Sequence, residues 1–163
     1  MDDALRRALY AELAVVQAGL LEVIGAGSHP RPMYHLSAGA SAGGGAELWF
    51  LTPADSDLVA EVGQGATARF CLTGHRHDLF ASLTGPIRTA PDRQGLERVW
   101  SPAAEAQFPG GLQDLEWTPL HMQPAEAAVW TTARSAVLEG MDLILSGLAE
   151  RQDRTDDHAL LKL

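Results

Sequence analysis

Lysine is nearly missing from this chain of 163 residues: Lys162 is the only one, and every other side-chain cation except histidine is an arginine. Lysine and arginine together number 12 against 21 aspartates and glutamates, a net charge of −9. Binding along a phosphate backbone needs a basic face, so no nucleic-acid partner is expected. A small phosphorylated ligand stays compatible if one pocket supplies arginine, hydroxyls or backbone amides. Cysteine is equally scarce. Cys71 alone excludes an intrachain disulfide and points to a reducing, cytoplasmic setting. Within Ala68-Arg69-Phe70-Cys71-Leu72 it reads as a buried strand thiol in preference to a nucleophile. No apolar run approaches the ~18 residues of a membrane span. Asp2 and Asp3 open the chain where a secretory signal would carry cations. Metal spacing is wanting too: His75 and His77 precede Asp78, but no third ligand stands in register. A solvated polar hairpin is preferred there, and no metal is expected. No Ser-His-Asp set or paired carboxylates stand out, so no catalytic side chain is assigned.

What is present suits one globular domain. The chain is 46% apolar and 20% charged, and long enough for a sizeable core. The domain is expected over residues 1–150, with 151–163 a charged C-terminal tail. Leu5, Leu9, Leu13 and Val16 fall at helical spacing and predict an amphipathic helix over 3–17. Strands are predicted over 19–25 and 31–36, Pro32 implying an edge or bulge in the second. Residues 38–46, with four glycines, read as a flexible hairpin loop; they lead into a strand and do not form a phosphate loop. Residues 48–51 form the next strand. Thr52 is the expected cap of a short helix with Pro53 at its first position, ended by Gly63 and Gly65. Strands over 66–73 and 79–84 follow, with a bulge at Gly85-Pro86 before Ile87-Arg88-Thr89. A helix is predicted from Pro91 through Trp100, a strand over 115–123 weakened by Pro119, and a last helix over 133–149. Short strands bracketed by helices without a βαβ rhythm give an α+β, mainly β fold with an antiparallel sheet or barrel.

Four stretches are more distinctive. They are Arg31-Pro32-Met33; Trp49-Phe50-Leu51-Thr52 followed by Asp55-Ser56-Asp57; Trp100-Ser101-Pro102 leading to Phe108-Pro109-Gly110-Gly111; and Pro124-Ala125-Glu126-Ala127 before Trp130. In this order they resemble the FMN-binding split β-barrels related to pyridoxamine 5′-phosphate oxidase, and most of all the general stress protein 26 group. The resemblance implies an antiparallel split barrel that dimerises and binds FMN between its subunits. It places Arg31, Pro32 and Met33 along the flavin, Leu51 and Thr52 at the ring and ribityl chain, and Ser56, Asp57 and Leu58 at the phosphate. Leu58 stands where the family pattern has a lysine, and Gln107 where it commonly has an aromatic residue. Arg31 is then the expected phosphate cation, with Arg69 second.

Each of these residues also has a plainer reading. Arg31 can be a solvated strand residue, Thr52 and Ser56 simple caps, His35 a structural histidine. Trp49, Trp100, Phe108, Trp117 and Trp130 read individually as core or dimer-interface residues, and Gly110-Gly111 as a turn. The function implied is that of an FMN-binding flavoprotein, a weak oxidoreductase with a stress-related role and an unknown small-molecule redox partner. Efficient pyridoxamine 5′-phosphate oxidation is not expected. The alternative is a flavin-free or flavin-storing dimeric binding protein without redox turnover.

Overall fold

Along the chain the elements run α1 (Asp2–Val15), β1 (Ala18–Val23), β2 (Arg31–Leu36), β3 (Leu48–Pro53), α2 (Asp57–Val62), β4 (Ala66–Thr73) and β5 (Leu79–Thr89). Then come α3 (Leu96–Val99), α4 (Pro102–Gln107), β6 (Trp117–Met122), β7 (Glu126–Thr131) and β8 (Ala159–Lys162). The computed structural model describes residues 2–37, 44–132 and 159–163. The helix predicted over 133–149 lies outside them, as do most of loop 38–46 and residues 151–158 of the predicted tail.

All strand pairings are antiparallel. The order β4-β1-β2-β3-β6-β5 closes on itself through β4–β5, giving a six-stranded barrel, and β7 and β8 extend the sheet outward from β5. The mainly β, antiparallel barrel expected from the sequence is what the chain forms.

Period-two alternation fills the barrel. In β4, Ala68, Phe70 and Leu72 point inward beside Leu21, Phe50, Leu83 and Leu120. The same alternation turns Cys71 outward, half-buried, so the expected buried thiol is corrected by one register step. From α1, Leu9 and Leu13 join this core; from α2, Leu58 and Val62. A second apolar cluster lies across the outer face of β2 and β3. Leu36, Trp49 and Leu51 pack there under Leu96, Val99, Ala104 and Phe108.

Several local expectations change. Thr52 and Pro53 do not open a helix; they finish β3, paired with Thr118 and Trp117, and the cap falls to Ser56, whose Oγ accepts from the Val59 amide at 3.4 Å. The helix predicted from Pro91 to Trp100 is interrupted. Arg93 and Gly95 take left-handed conformations (φ 57° and 94°), leaving the four-residue α3 before Ser101 caps α4. No bulge interrupts β5 against β4, since Thr67–Pro86 and Ala68–Gly85 stay in register. Instead β5 changes its other partner there, from β7 at Thr84 to β6 at Ile87. Gly85 makes this switch sterically feasible: a Cβ on it would strike the Gln123 carbonyl and approach Pro124 Cα to 2.7 Å. The end of the predicted tail is also revised. Residues 159–162 form β8 against β7, with Leu161 buried.

Pro32 fits because β2 has one neighbouring strand there, and Pro119 because the β5 side asks only for its carbonyl, which accepts from the Ala90 amide at 2.8 Å. Pro119 pairs with Leu51 of β3 but lies beyond the β5–β6 ladder, which starts at Leu120. Among the described residues no helix is long and apolar enough to cross a membrane.

Candidate functional site

Between β2 and β3 the ladder holds only two residue pairs, His35–Phe50 and Leu36–Trp49. Beyond them the strands part. Arg31, Pro32, Met33 and Tyr34 pair with β1 on one side and, among the described residues, with no strand on the other. Leu51, Thr52 and Pro53 pair with β6 and likewise face no strand on their other side. The sequence-assigned residues Arg31, Pro32, Met33, Leu51 and Thr52 thus flank one seam from opposite strands. Unpaired strand edges present backbone donors and acceptors, the groups that recognise the hydrogen-bonding edge of a flat heterocycle.

At the end of β3, α2 brings in the remaining three. Ser56 caps the helix, Asp57 is exposed, and Leu58 is 1% exposed inside the barrel core. A lysine at that position would direct its stem into apolar packing. Thr52, buried, donates its hydroxyl to Ser56 Oγ at 2.9 Å. Arg31 does not stand free. Its Nη2 donates to both carboxylate oxygens of Glu61, at 2.7 and 2.9 Å, and contacts Ser28 Oγ at 3.1 Å. Ser28 in turn donates to Glu61 at 3.1 Å. Arg69, the second cation considered, pairs with Glu22 at 3.4 Å across the β1–β4 ladder, both strands lying away from β3.

Glu61 was not singled out from the sequence. Its only signal was its position one turn after Asp57, which suggests a solvated helix face and not a partner for a strand residue. Two other acidic hubs, Glu12 and Glu47, were also missed. Glu12 on α1 accepts from the His75 amide and bonds its Nδ1, both at 2.9 Å, tying α1 to the β4–β5 turn. Arg76 pairs with the buried Asp78 in that turn. His75 and Asp78 are therefore held by structural partners, and among the described residues no group of three or more metal-binding side chains occurs. Glu47 takes bonds from Trp49 Nε1 (3.1 Å) and Arg98 (3.3 Å) and lies 2.9 Å from His121 Nε2. Burial lowers the His121 pKa; Glu47 opposes that shift and Arg88 and Arg98 add to it.

His35 is structural. Its ring packs edge-on against Phe70, its Nε2 meets the Leu13 carbonyl at 3.0 Å, and burial pushes its pKa down against the opposing effect of that bond. The aromatic loop after α3 forms a lid on the outer face of the seam strands. Phe108 contacts Tyr34 and Trp117 edge-on at 5.8 and 5.2 Å. Arg93 fixes the loop by donating to the carbonyls of Leu112, Asp114 and Trp117 at 3.0, 2.8 and 2.6 Å. Gln107 ends α4 exposed to solvent.

A groove of about 530 Å³ crosses the outer face of β1, β4, β5 and β7, lined by residues including Leu20, Cys71, Phe80 and Trp130. None of the eight assigned residues borders it.

The sequence profile described as "Pyridoxamine 5'-phosphate oxidase like" matches residues 5–153. None of the curated proteins compared with this sequence matches it. Among solved structures, a general stress family protein of Xanthomonas campestris pv. campestris is 28% identical, with a TM-score of 0.69 over 81% of this chain and 90% of its own. The general stress FMN/FAD binding protein of Xanthomonas citri is also 28% identical, with a TM-score of 0.66 over 79% and 89%. A general stress protein 26 of Jannaschia sp. CCS1 shares the fold at 24% identity, with a TM-score of 0.70 over the whole of both chains. With a barrel of this topology, and a family match that runs through nearly all of it, the chain belongs to the pyridoxamine 5′-phosphate oxidase-like family.

Proposed function

We propose that the parted seam between β2 and β3 holds a flavin, FMN being the form the family reading gives, and that two chains share it as a homodimer. The observation that carries this reading is the seam itself, with Arg31, Pro32 and Met33 on one edge and Leu51 and Thr52 on the other. The flat ring suits the unpaired edges. Ser56 and Asp57 would lie toward the ribityl chain and its end, with the Leu58 side chain turned away into the core. When bound, the flavin supplies the electron chemistry, and this chain supplies placement and shielding. No side chain at the seam is assigned as an acid or base. The protein is then a cytoplasmic, weak oxidoreductase connected with stress, and efficient pyridoxamine 5′-phosphate oxidation is not part of the reading.

The homodimer is supported by the outer groove, where Leu20 is 46% and Phe80 40% exposed. Contiguous apolar surface of this kind marks an interaction face.

The test is equilibrium titration of the purified protein with FMN, followed by absorption in the flavin bands. Saturable binding at one flavin per chain is expected. Pro32→Glu, which sets a carboxylate on an exposed seam residue, should weaken it at least tenfold. Absence of binding, or binding indifferent to Pro32→Glu, would remove the seam as the site. The dimeric binding protein without turnover is favoured by Asp55 and Asp57 beside α2 and by the pairing of Arg31 with Glu61. Bound flavin that no electron donor reduces would select it.

A further inference from the structure

We propose that Glu61 sets the flavin preference of this chain: by holding Arg31 in an ion pair it deprives the polar end of the seam of a free cation, so riboflavin and FMN bind with similar affinity. The inference rests on the flavin reading above and sharpens it.

Among the described residues, the cation at this corner is already engaged. The Arg31 guanidinium is bonded to both Glu61 oxygens and to Ser28, in a pair whose side chains are only 27% and 17% exposed. Thr52 spends its hydroxyl proton on Ser56, whose oxygen also caps the Val59 amide, so the pair keeps only the neutral Ser56 hydroxyl as a donor. The Leu58 side chain points into the core. With six residues, α2 is too short for its start to act as an anion site by itself, and Asp55 and Asp57 stand exposed beside it.

To reach a phosphate, Arg31 would have to exchange one charge-assisted partner for another. It would then leave the half-buried Glu61 carboxylate without its cation and next to a dianion. The gain from the new contact is offset by loss of the old one and by repulsion between the two anions. A phosphate therefore adds little to binding, and ring and ribityl contacts decide affinity.

Removing the Glu61 charge should release the guanidinium. Glu61→Gln keeps the volume and one acceptor for Ser28 and ends the competition. The experiment is fluorescence titration of riboflavin and FMN against wild type, Glu61→Gln, and Glu22→Gln. The last removes the same charge from the separate Arg69 pair and controls for net charge. For wild type the two dissociation constants should agree within about threefold. In Glu61→Gln, FMN should tighten about tenfold, the low end expected for one charged hydrogen bond, with riboflavin unchanged. Glu22→Gln should shift neither.

A wild-type preference for FMN above tenfold overturns the inference without depending on any variant, and leaves the flavin reading standing. So does a ratio that Glu61→Gln fails to move, or that Glu22→Gln moves equally. Binding of neither flavin to wild type overturns the flavin reading and this inference together.

Discussion

His35 shows how one buried side chain makes stability depend on pH. It is 3% exposed; Nε2 is engaged by the Leu13 carbonyl and Nδ1 has no partner among the described residues. Burial, the larger effect, lowers its pKa in the folded chain, and the bond to Leu13 partly opposes that. Unfolded, the imidazole titrates near ~6.5. Below that value the unfolded chain takes up a proton that the folded chain refuses. Stability is thus fully present above about pH 6.5 and is lost as pH falls toward the depressed folded value. His121 acts with the same sign, its burial opposed by Glu47. Urea denaturation between pH 8 and pH 5 should show this decline, at most about 1.4 kcal/mol per pH unit for each histidine. His35→Gln should flatten it; an unchanged slope would mean that other groups carry the dependence.

At the scale of elements, β5 is the strand on which the topology turns. Its first half pairs with β7 and its second with β6, while β4 runs along both. The exchange works because the β6–β7 corner passes directly over Gly85, leaving no room for a Cβ against Gln123, Pro124 and Ala125. These are backbone atoms, which cannot swing aside as the end of a side chain can. Gly85→Ala should therefore cost about 1–3 kcal/mol or more, as overpacking does. Thermal or denaturant unfolding would measure it, and a loss below about 0.5 kcal/mol would show that the corner relaxes freely. The aromatic loop shows a second device at this scale. One guanidinium, Arg93, gathers the carbonyls of Leu112, Asp114 and Trp117.

At the scale of the whole molecule, the barrel closes its own edges, while among the described residues the sheet face outside it leaves apolar side chains exposed. Leu20, Cys71, Phe80 and Trp130 line one groove because alternate residues of β1, β4, β5 and β7 must point outward. A second copy of the chain is the occupant proposed for that face. Sedimentation should give a dimer at micromolar concentration, and Leu20→Glu with Phe80→Glu should give a folded monomer, since both residues are substantially exposed within one chain. A wild-type monomer at that concentration would remove both the dimer and the shared flavin site.

The sequence by itself determined the broad plan. Alternation in residues 66–73, helical spacing in 3–17 and the ordered motifs at Arg31, Trp49 and Trp100 are local patterns, so α1, β4, the barrel and the family were legible in them. The ordered motifs also pointed to the residues that the seam brings together from two strands. What depended on distant partners was not legible. Thr52 and Pro53 have the chemistry of a helix start, and only pairing with β6 keeps them in a strand. Strand β7 opens with Glu126, Ala127 and Ala128, which do not favour a strand, and pairing with β5 and β8 holds them there. Arg31 and Glu61 lie 30 residues apart, and nothing in either's neighbours announces the other. Local propensity is carried by adjacent residues; whether a charge is free is decided by what the fold places against it.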